Sequence, residues 1–346
     1  MHLGYVHSFR ATATIMIVGG HVIASLSWAA NPLTASVLRD VLDNGTVLFV
    51  FLAGFLFEYR MVDRSYFAYL RGRFTRLLLP YLVLAVPLVV WDVARGDAVE
   101  KFPQDLDGTS ALYQALWFLA KGSIVINYAL WFVPMMTLFY LAMPLFSFMA
   151  RHPRLYLVLV ALIPLSLFLH RVTELDTAWM ALYFLSAYIT GMWASHARER
   201  LEPVLLRGWP VLLLLVVGIT VGLALFADHH GNYFGNAPFS QEHGPVDWLF
   251  AQKLLLCFGL LGLMLRLQPQ VGPFLRYLAD ISLSIVLLHV YLLYAINLGE
   301  RRLGFVPAGG VVTWVVMTAL AVALTALGTM CAQRVLGKRS KLLIGS

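Results

Sequence analysis

The sequence predicts an all-α polytopic membrane protein with about ten transmembrane helices and both termini in the cytoplasm. Its 346 residues are 60% hydrophobic and only 12% charged, and the mean hydropathy is +0.78. Soluble domains average about 25% charged residues. The apolar residues form continuous blocks along the whole chain, without the alternation of membrane-spanning strands, so helices are expected. This composition excludes a soluble enzyme, a disordered protein, a coiled coil and a single-span receptor.

Ten segments are apolar and long enough to cross the hydrocarbon core as helices, which takes about 20 residues. A further apolar segment, 111–120, is too short to cross and is predicted to lie at the interface or to form a re-entrant loop. The predicted spans are 9–29, 44–60, 77–94, 129–149, 154–170, 177–195, 209–227, 247–265, 277–298 and 308–332.

The charges between the apolar blocks predict the orientation. With the N-terminus inside, Lys and Arg fall on the inner connectors about twice as often as on the outer ones, and acidic residues show the opposite bias. An even number of spans then puts both termini in the cytoplasm. A cleavable signal peptide is not expected, because the N-terminal segment is weakly basic and its apolar stretch contains a histidine. We predict one transmembrane domain over residues 1–335 and a basic cytoplasmic tail over 336–346.

Two ionisable residues in the first span form the leading candidate site. Arg10 and His21 are eleven residues apart, so they share one helix face, with His21 about 16 Å deeper in the membrane. Gly19 and Gly20 would let a helix or a ligand approach His21 closely. The alternative is a neutral His21 bonded to a carbonyl of a neighbouring helix, with Arg10 extending to the interface.

The connector at 69–81, interpreted as a loop, carries Arg71, Arg73 and Arg76 ahead of a proline-containing helix. Guanidinium groups bind phosphate through paired hydrogen bonds. A cytoplasmic arginine triplet beside a membrane cavity therefore suits a substrate that carries a nucleotide. The alternative is an anchor for anionic lipid headgroups.

The second and fourth predicted spans contain weaker signals. Gly54 in the second span is positioned for close helix packing. In the fourth, Trp131 and Phe132 precede Pro134, which is expected to free a backbone carbonyl and kink the helix. Trp131 is a candidate for the lining of a substrate channel.

The ninth span carries Asp280, Ser284 and His289, which are further candidates for a substrate or channel lining. The alternatives are that Asp280 caps a helix near the interface and that His289 makes a structural hydrogen bond. Lys253, near the outer end of the eighth span, is expected to extend its ammonium group to the outer interface.

The outer connector at 228–248 is the only histidine-rich segment. A metal site there is conceivable, but irregular spacing and turn residues favour a solvated loop, whose Tyr, Phe and Asn side chains could contact sugars. Cys257 and Cys331 lie in apolar stretches and indicate no disulfide, zinc or redox site. No metal and no nucleic-acid partner are predicted. The ionisable residues of the connector are Asp228, His229, His230, Glu242, His243 and Asp247.

Taken in order, five motifs resemble the acyltransferase-3 family of integral membrane acyltransferases. Its first-helix signature of Arg, ten residues and His matches Arg10 to His21. Any single match is weak, but their order and spacing over residues 10–289 are specific. The other matches are L-F-V-F-L-A-G-F-L at 48–56, Arg73-Phe-Thr-Arg76 before LLLPY, Trp131-Phe132 with Pro134, and the run from Ser282 to His289.

The chain departs from the family pattern in three ways. Ala53 replaces the usual serine and removes a hydroxyl. Val47 stands where many members have an acidic residue, which leaves the partner that orients His21 unassigned. No fused esterase-like domain of the kind that some members carry is recognisable, so the chain would complete acyl delivery itself or hand the acyl group to a separate protein.

The resemblance implies a membrane-bound O-acyltransferase. It would transfer an acyl group, with acetyl preferred, from cytoplasmic acetyl-CoA to a hydroxyl of an envelope or exported polysaccharide, free or lipid-linked, in the bacterial inner membrane. Arg73 and Arg76, with Arg71 as a further candidate, would hold the CoA phosphates, and Arg10 would lie at the mouth of the pantetheine channel. His21 would act at the thioester as a general base or as a transient acyl carrier; the sequence leaves both open.

Two other classes of function are weighed against this one. A transporter or flippase for a glycan or an anionic substrate would use the Arg10–His21 face as an ion path, but transporters commonly show paired, interrupted helices in two related halves. No internal duplication is recognisable in this chain. A scaffold for glycan assembly with a degenerate site is the third possibility. No feature of the sequence decides the oligomeric state.

Overall fold

The computed structural model describes residues 4–60, 63–96, 99–100, 102–122, 128–171, 176–235, 237–240, 242–268 and 272–345. Helices make up 82% of the structure, and no strand occurs within these ranges. Two isolated bridges, Ser27 with Ala308 and Arg171 with Phe234, are the described β-type pairings. The prediction of an all-helical chain is confirmed.

The first half of the chain forms short and medium helices. They are α1 (Gly4–Ile23), α2 (Pro32–Leu42), α3 (Thr46–Arg60), α4 (Tyr66–Arg73), α5 (Leu79–Arg95), α6 (Ala111–Lys121), α7 (Phe132–Leu141), α8 (Met143–Arg151) and α9 (Leu159–Phe168). A π-helical turn, Phe74–Leu78, joins α4 to α5, and shorter helical turns occupy Pro103–Leu106, Tyr128–Trp131 and Pro153–Val158.

Longer helices make up most of the second half. They are α10 (Thr177–His196), α11 (Arg198–Phe226), α12 (Trp248–Leu267), α13 (Pro273–Asp280), α14 (Ser282–Leu303) and α15 (Val311–Leu336). After α15 the chain makes two more helical turns, Gly337–Arg339 and Ser340–Leu343.

Six of the described helical stretches are long and apolar enough to cross a membrane, or seven if the bent pair α7–α8 counts as one span. The chain is therefore a multi-pass membrane protein, while the count of ten and the cytoplasmic termini stay predictions. The helices α1 and α10, at the first and sixth predicted spans, have 20 residues each but carry more polar side chains. The six stretches are Pro32–Arg60, Tyr66–Arg95, Arg198–Phe226, Trp248–Leu267, Ser282–Leu303 and Val311–Leu343.

The arginine-rich segment 69–81 is helical, so its interpretation as a loop is wrong. It comprises the end of α4, the π-helical turn and the start of α5. Gly72 is tolerated inside α4, and Pro80 falls in the first turn of α5, where a missing N–H costs no hydrogen bond. Isolated π-helical turns often mark functional positions.

The bend in the fourth predicted span lies elsewhere than expected. Pro134 is in the first turn of α7, where proline is accommodated, so it does not kink the helix. The axis turns by 55° between α7 and α8. The break falls at Ala142, just before Pro144 in the first turn of α8, because proline disfavours helical geometry in the residues that precede it.

Close packing of α3 on α10 depends on two glycines. A Cβ atom on Gly54 would overlap the carbonyl oxygen of Tyr188, and one on Gly191 would overlap that of Phe51. The two backbones therefore lie in direct contact, as small residues permit in membrane proteins. The packing predicted for Gly54 is confirmed.

The helix α1 is surrounded by protein. It packs against α2 and α3 and against α12, α13, α14 and α15. Both Arg10 and His21 are therefore inside a helical bundle, where a polar side chain can be solvated by other protein groups or by a cavity.

Candidate active site

One cavity of about 570 Å³ is lined by six of the nine site residues that the sequence singles out. We call the part of its wall formed by Arg10, Arg73, Arg76, Asp280 and Lys341 the basic end. The part formed by Asp43, Asn44, Trp131, Arg171 and Asn232 is called the polar end. His21 also lies on the wall, three helical turns from Arg10 along α1.

The predicted stripe on α1 faces this cavity. Arg10, Ile17, Gly20 and His21 all contribute to its wall, as residues at these spacings must if they share one helix face. The cavity therefore follows α1 lengthwise. A ligand lying along this face could touch Arg10 and His21 at once.

His21 is paired with His289 of α14. The distance between Nδ1 of His21 and Nε2 of His289 is 2.6 Å, and the two rings are inclined by only 7°. On its other side, Nδ1 of His289 lies 2.9 Å from the carbonyl oxygen of Ile285. His289 therefore fills the role of orienting partner that the sequence left unassigned.

The second contact determines the protonation of both rings. A carbonyl oxygen only accepts hydrogen bonds, so Nδ1 of His289 carries a proton and Nε2 of the neutral ring is an acceptor. Nδ1 of His21 must then be the donor to it. This leaves the lone pair of neutral His21 on Nε2, the atom that a general base or a nucleophile needs.

The backbone beside His21 is approached closely by two other elements. Trp314 of α15 donates a 2.9 Å hydrogen bond from Nε1 to the carbonyl of Gly19. A Cβ atom on Gly20 would stand 3.7 Å from Oδ1 of Asp43. The two glycines thus let a helix and a carboxylate come close to α1, as the sequence indicated.

At the basic end, Arg73 is held between two aromatic rings. Its guanidinium carbon lies 5.1 Å from the ring centroids of both Tyr69 and Tyr140, a cation–π arrangement. Arg76 follows in the π-helical turn and also lines the cavity. Arg71, the third predicted arginine, is exposed and lies outside the described wall.

Arg10 and Asp280 lie beside each other at the same end. Nη1 of Arg10 is 3.5 Å from the carbonyl of Ala279, and Oδ1 of Asp280 is 3.7 Å from Nδ1 of His7. Asp280 is the last residue of α13 and its side chain is 68% exposed. It therefore lies at a C-terminal helix end, where no carboxylate cap is needed.

The polar end is organised around a buried arginine. Arg171 is 3% exposed and donates a 2.8 Å hydrogen bond from Nη1 to Oδ1 of Asn232. Its guanidinium carbon lies 5.0 Å from the ring centroid of Trp131 and 4.8 Å from that of Phe234. Trp131 therefore lies on the wall with a cation behind its ring.

A buried hydrogen-bond chain supports the same end. Asn44, which adopts a left-handed backbone conformation with φ of 57°, donates from Nδ2 to the hydroxyl of Tyr183 at 2.5 Å. That hydroxyl donates to Oδ2 of Asp247 at 2.6 Å, and Oδ1 of Asp247 accepts from the backbone N–H of Phe250. Asn44 is thereby held at the junction between α2 and α3.

The expectation that Lys253 extends to the outer interface is wrong. Its side chain is fully buried and donates to the carbonyl of Asp40 at 3.0 Å and to Oε1 of Gln252. Gln252 in turn donates to Oγ1 of Thr220 at 2.6 Å. Because α12 presents Lys253 to α2, the ammonium group finds partners inside the protein.

Two predicted lining residues lie behind the described wall. Ser284 is fully buried, and its hydroxyl has no hydrogen-bond partner among the described residues. His289 is also fully buried and reaches the cavity only through His21. The same helix, α14, contributes Ser282, Leu283 and Val286 to the wall.

The histidine-rich connector is folded over the polar end and is only partly exposed to solvent. Nδ1 of His230 lies 2.9 Å from Oδ2 of Asp40, and the rings of His229 and His243 stack with centroids 3.8 Å apart. Asn232 reaches the cavity itself. Within the described ranges, no three His, Cys, Asp or Glu side chains have an arrangement that could hold a metal ion.

The geometry agrees with a comparison against known families. A family model described as an acyltransferase domain matches residues 3–330, essentially the whole chain. This chain belongs to the acyltransferase-3 family. Comparisons with curated proteins and with solved structures return no match. Membership of this family supports acyl transfer as the general activity of this multi-pass membrane protein.

Sequence reasoning missed several wall residues of this acyltransferase. They lie on connectors or at chain ends, where no helical periodicity predicts which way a side chain faces. For Asp43 and Arg171 the sequence did offer a signal: each is a charged residue directly at the end of an apolar run, and charged residues are costly near lipid. The missed residues are Asp43, Asn44, Arg171 and Lys341, whereas Asn232 belongs to the connector whose Asn side chains the sequence indicates as possible sugar contacts.

Proposed function

We propose that this acyltransferase moves an acyl group from cytoplasmic acyl-CoA to a hydroxyl of an envelope or exported polysaccharide, in the bacterial inner membrane. The single observation that carries the proposal is the cavity: cations at one end, His21 on its wall, and aromatic and polar groups at the other. Its volume of about 570 Å³ is in the range of small-ligand sites. Acetyl is the acyl group that the family resemblance favours.

The basic end is suited to the phosphates of the donor. Arg76 and the ring-held Arg73 offer guanidinium groups that bind phosphate through paired hydrogen bonds. Pantetheine would then run along α1 past Arg10. The distance of about 16 Å between the positions of Arg10 and His21 is one that an extended pantetheine arm can cover. The thioester would thus reach His21.

As general base, His21 takes the proton of the attacking hydroxyl on Nε2. The hydroxyl oxygen bonds to the thioester carbonyl carbon, the carbon–sulfur bond breaks, and the sulfur leaves as thiolate. Returning the proton from His21 to that thiolate gives free CoA and the sugar ester. Every atom and proton is accounted for without a metal or an oxidant.

As acyl carrier, His21 uses the same lone pair. Nε2 bonds to the carbonyl carbon, the carbon–sulfur bond breaks, and CoA leaves as thiolate, which takes a proton from water. The hydroxyl oxygen then bonds to the same carbon, the bond to Nε2 breaks, and the hydroxyl proton passes to water, which leaves neutral His21 and the sugar ester. A pre-steady-state measurement separates the two routes. The carrier route predicts a burst of CoA release, stoichiometric with enzyme, when acceptor is omitted; the base route predicts none.

His289 supports either route as a positioning residue. Its Nε2 accepts the hydrogen bond from Nδ1 of His21, which fixes the tautomer and stabilises the imidazolium that forms when Nε2 gains a proton. His289 does not need to touch the substrate. Its own orientation is fixed by the carbonyl of Ile285.

The polar end is suited to a sugar acceptor. Trp131 offers an aromatic face, and Asp43, Asn44 and Asn232 offer hydrogen-bonding groups in the same wall. Sugars are commonly bound by this combination of ring stacking and short polar side chains. A hydroxyl entering from this side meets the thioester at His21.

Acyl transfer in proteoliposomes tests the proposal. Purified protein receives radiolabelled acetyl-CoA on one side and a purified bacterial polysaccharide on the other, and label in the polysaccharide is counted. We expect His21→Ala to abolish transfer, while the exposed His152→Ala serves as the matched control and retains it. Transfer by His21→Ala at the wild-type rate would reject the catalytic assignment, and movement of unmodified polysaccharide without labelling would favour a transporter.

A further inference from the structure

We propose that Lys341, in the C-terminal tail, is a donor-binding residue that contacts the 3′-phosphate of CoA. The inference rests on the proposed function, since it deepens the donor site described above. The sequence predicts a basic cytoplasmic tail over 336–346, as the inner side of a membrane protein commonly carries. In the structure, Lys341 and Gly345 form part of the cavity wall.

The tail is folded back onto the basic end. Its helical turn Ser340–Leu343 packs against α5 and against the π-helical turn that carries Arg76. Ser340 is buried at 3% exposure. A Cβ atom on Gly345 would lie 3.7 Å from the carbonyl oxygen of Arg76 and would contact Leu283 of α14. The backbone position of Lys341 is therefore fixed, because the residues before and after it are packed against the protein.

The charges at this end suit a polyanion. At this end of the described wall, Arg10, Arg73, Arg76 and Lys341 face one carboxylate, that of Asp280, while the other carboxylate of the wall, Asp43, lies at the polar end. Arg73 and Arg76 have the planar groups that clamp a phosphate, whereas a lysine acts as a mobile point charge on a flexible stem. A mobile cation at the rim is suited to a phosphate that arrives from water.

The order of groups along CoA assigns the phosphate. The thioester must lie at His21, pantetheine follows along α1, and the diphosphate and the 3′-phosphorylated ribose come last. Lys341 belongs to the tail, which follows the last span and contributes to the basic end of the wall. It is therefore matched with the group farthest from the thioester, which is the 3′-phosphate.

Neighbouring cations of the tail provide the matched control. Lys338 is exposed like Lys341, but it lies in the preceding turn, Gly337–Arg339, and not on the described wall. A role in binding anionic lipid would depend on both lysines alike. A role in binding the donor requires Lys341 alone.

Calorimetric binding of CoA and of 3′-dephospho-CoA to the full-length protein in detergent tests the inference. For Lys341→Ala we expect affinity for CoA to fall by about fivefold and affinity for 3′-dephospho-CoA to change by less than about twofold. Lys338→Ala should match the wild type for both ligands, and Lys341→Arg should restore most of the preference for CoA. Elution of each variant as a single species checks folding.

The outcomes separate this inference from the function on which it rests. Wild-type protein that binds neither nucleotide would overturn the donor site and the role of Lys341 together. Wild-type binding and acyl transfer with an unchanged CoA affinity in Lys341→Ala would overturn the role of Lys341 alone. An equal loss in Lys338→Ala would assign the effect to general surface charge and would also reject it.

Discussion

Nδ1 of His21 and Nε2 of His289 meet at 2.6 Å across the interface of α1 and α14, with the two rings nearly parallel. Because His289 donates from Nδ1 to the Ile285 carbonyl, the hydrogen bond between the two neutral rings runs from His21 to His289. The pair therefore sets the lone pair of His21 on Nε2. His21 and His289 are 268 positions apart in the sequence.

His289→Ala removes that partner without removing the proposed catalytic ring. We expect kcat to fall by roughly 10- to 100-fold with little change in the donor KM, as for other residues that orient a functional imidazole. The pH dependence of kcat should move as well, since the hydrogen bond stabilises the protonated form of His21. Full pH–rate profiles of His289→Ala and of the exposed control His152→Gln measure this. A loss confined to protein yield, with normal kcat and profile, would assign His289 a purely structural role.

The basic end makes a different prediction about the donor. Arg73→Ala and Arg76→Ala should each weaken CoA binding by about tenfold, because a charged hydrogen bond to phosphate is lost. The remaining affinity should fall more slowly with added salt, since fewer charges are left to screen. Arg71→Ala should have a smaller effect, because this side chain lies outside the wall. Binding titrations at two salt concentrations, with the exposed Arg151→Ala as control, decide between this reading and a lipid anchor, which predicts no change.

How far the sequence could predict this molecule depends on which interactions are local. The shared face of Arg10 and His21 follows from helix geometry, and both line the cavity. The pairing of His21 with His289 could not be predicted, because it depends on how α1 packs on α14. The prediction for Lys253 is wrong for the same reason. Its depth in the span follows from the local sequence, whereas its contact with the carbonyl of Asp40 depends on how α12 packs on α2.

The glycine contact between α3 and α10 predicts a stability effect that is separate from the chemistry. Gly54→Ala places a methyl group against the carbonyl of Tyr188 and should force the helices apart, at a cost of about 1–3 kcal/mol. Gly218→Ala in α11, where a Cβ atom would meet no atom within 4 Å, is the matched control. Thermal unfolding in detergent should show a lower midpoint for Gly54→Ala only. Equal midpoints for both variants would mean that the interface adapts without cost.

The polar end predicts an effect on the acceptor alone. Asn232→Ala removes the hydrogen bond from Arg171 and a polar group from the wall, so the acceptor KM should rise by about fivefold while CoA affinity is kept. Glu242→Ala, in the same connector but exposed, is the control. Initial rates at varied polysaccharide and fixed acetyl-CoA give the acceptor KM. A change in CoA binding of the same size would show that the two ends are not separate subsites.

The connector that carries Asn232 should be loosened by acid. Burial lowers the pKa of His229, and the nearby His243 and His230 lower it further, while its bond to the Asn232 carbonyl and the charge of Asp40 oppose the shift. The unfolded loop therefore binds more protons than the folded loop below about pH 6.5, so stability present above that pH is lost as the pH falls.

Hydrogen exchange over residues 228–235, corrected for intrinsic rates, measures this loosening between pH 7.5 and pH 5.5. Protection should fall at pH 5.5 in the wild type and stay constant in His229→Gln, whose amide can still donate to the Asn232 carbonyl. Because Asn232 lies on the cavity wall, the acceptor KM should rise over the same pH interval in the wild type but not in the variant. Constant protection in the wild type would mean that His229 stays neutral or that its charge is accommodated within the folded loop.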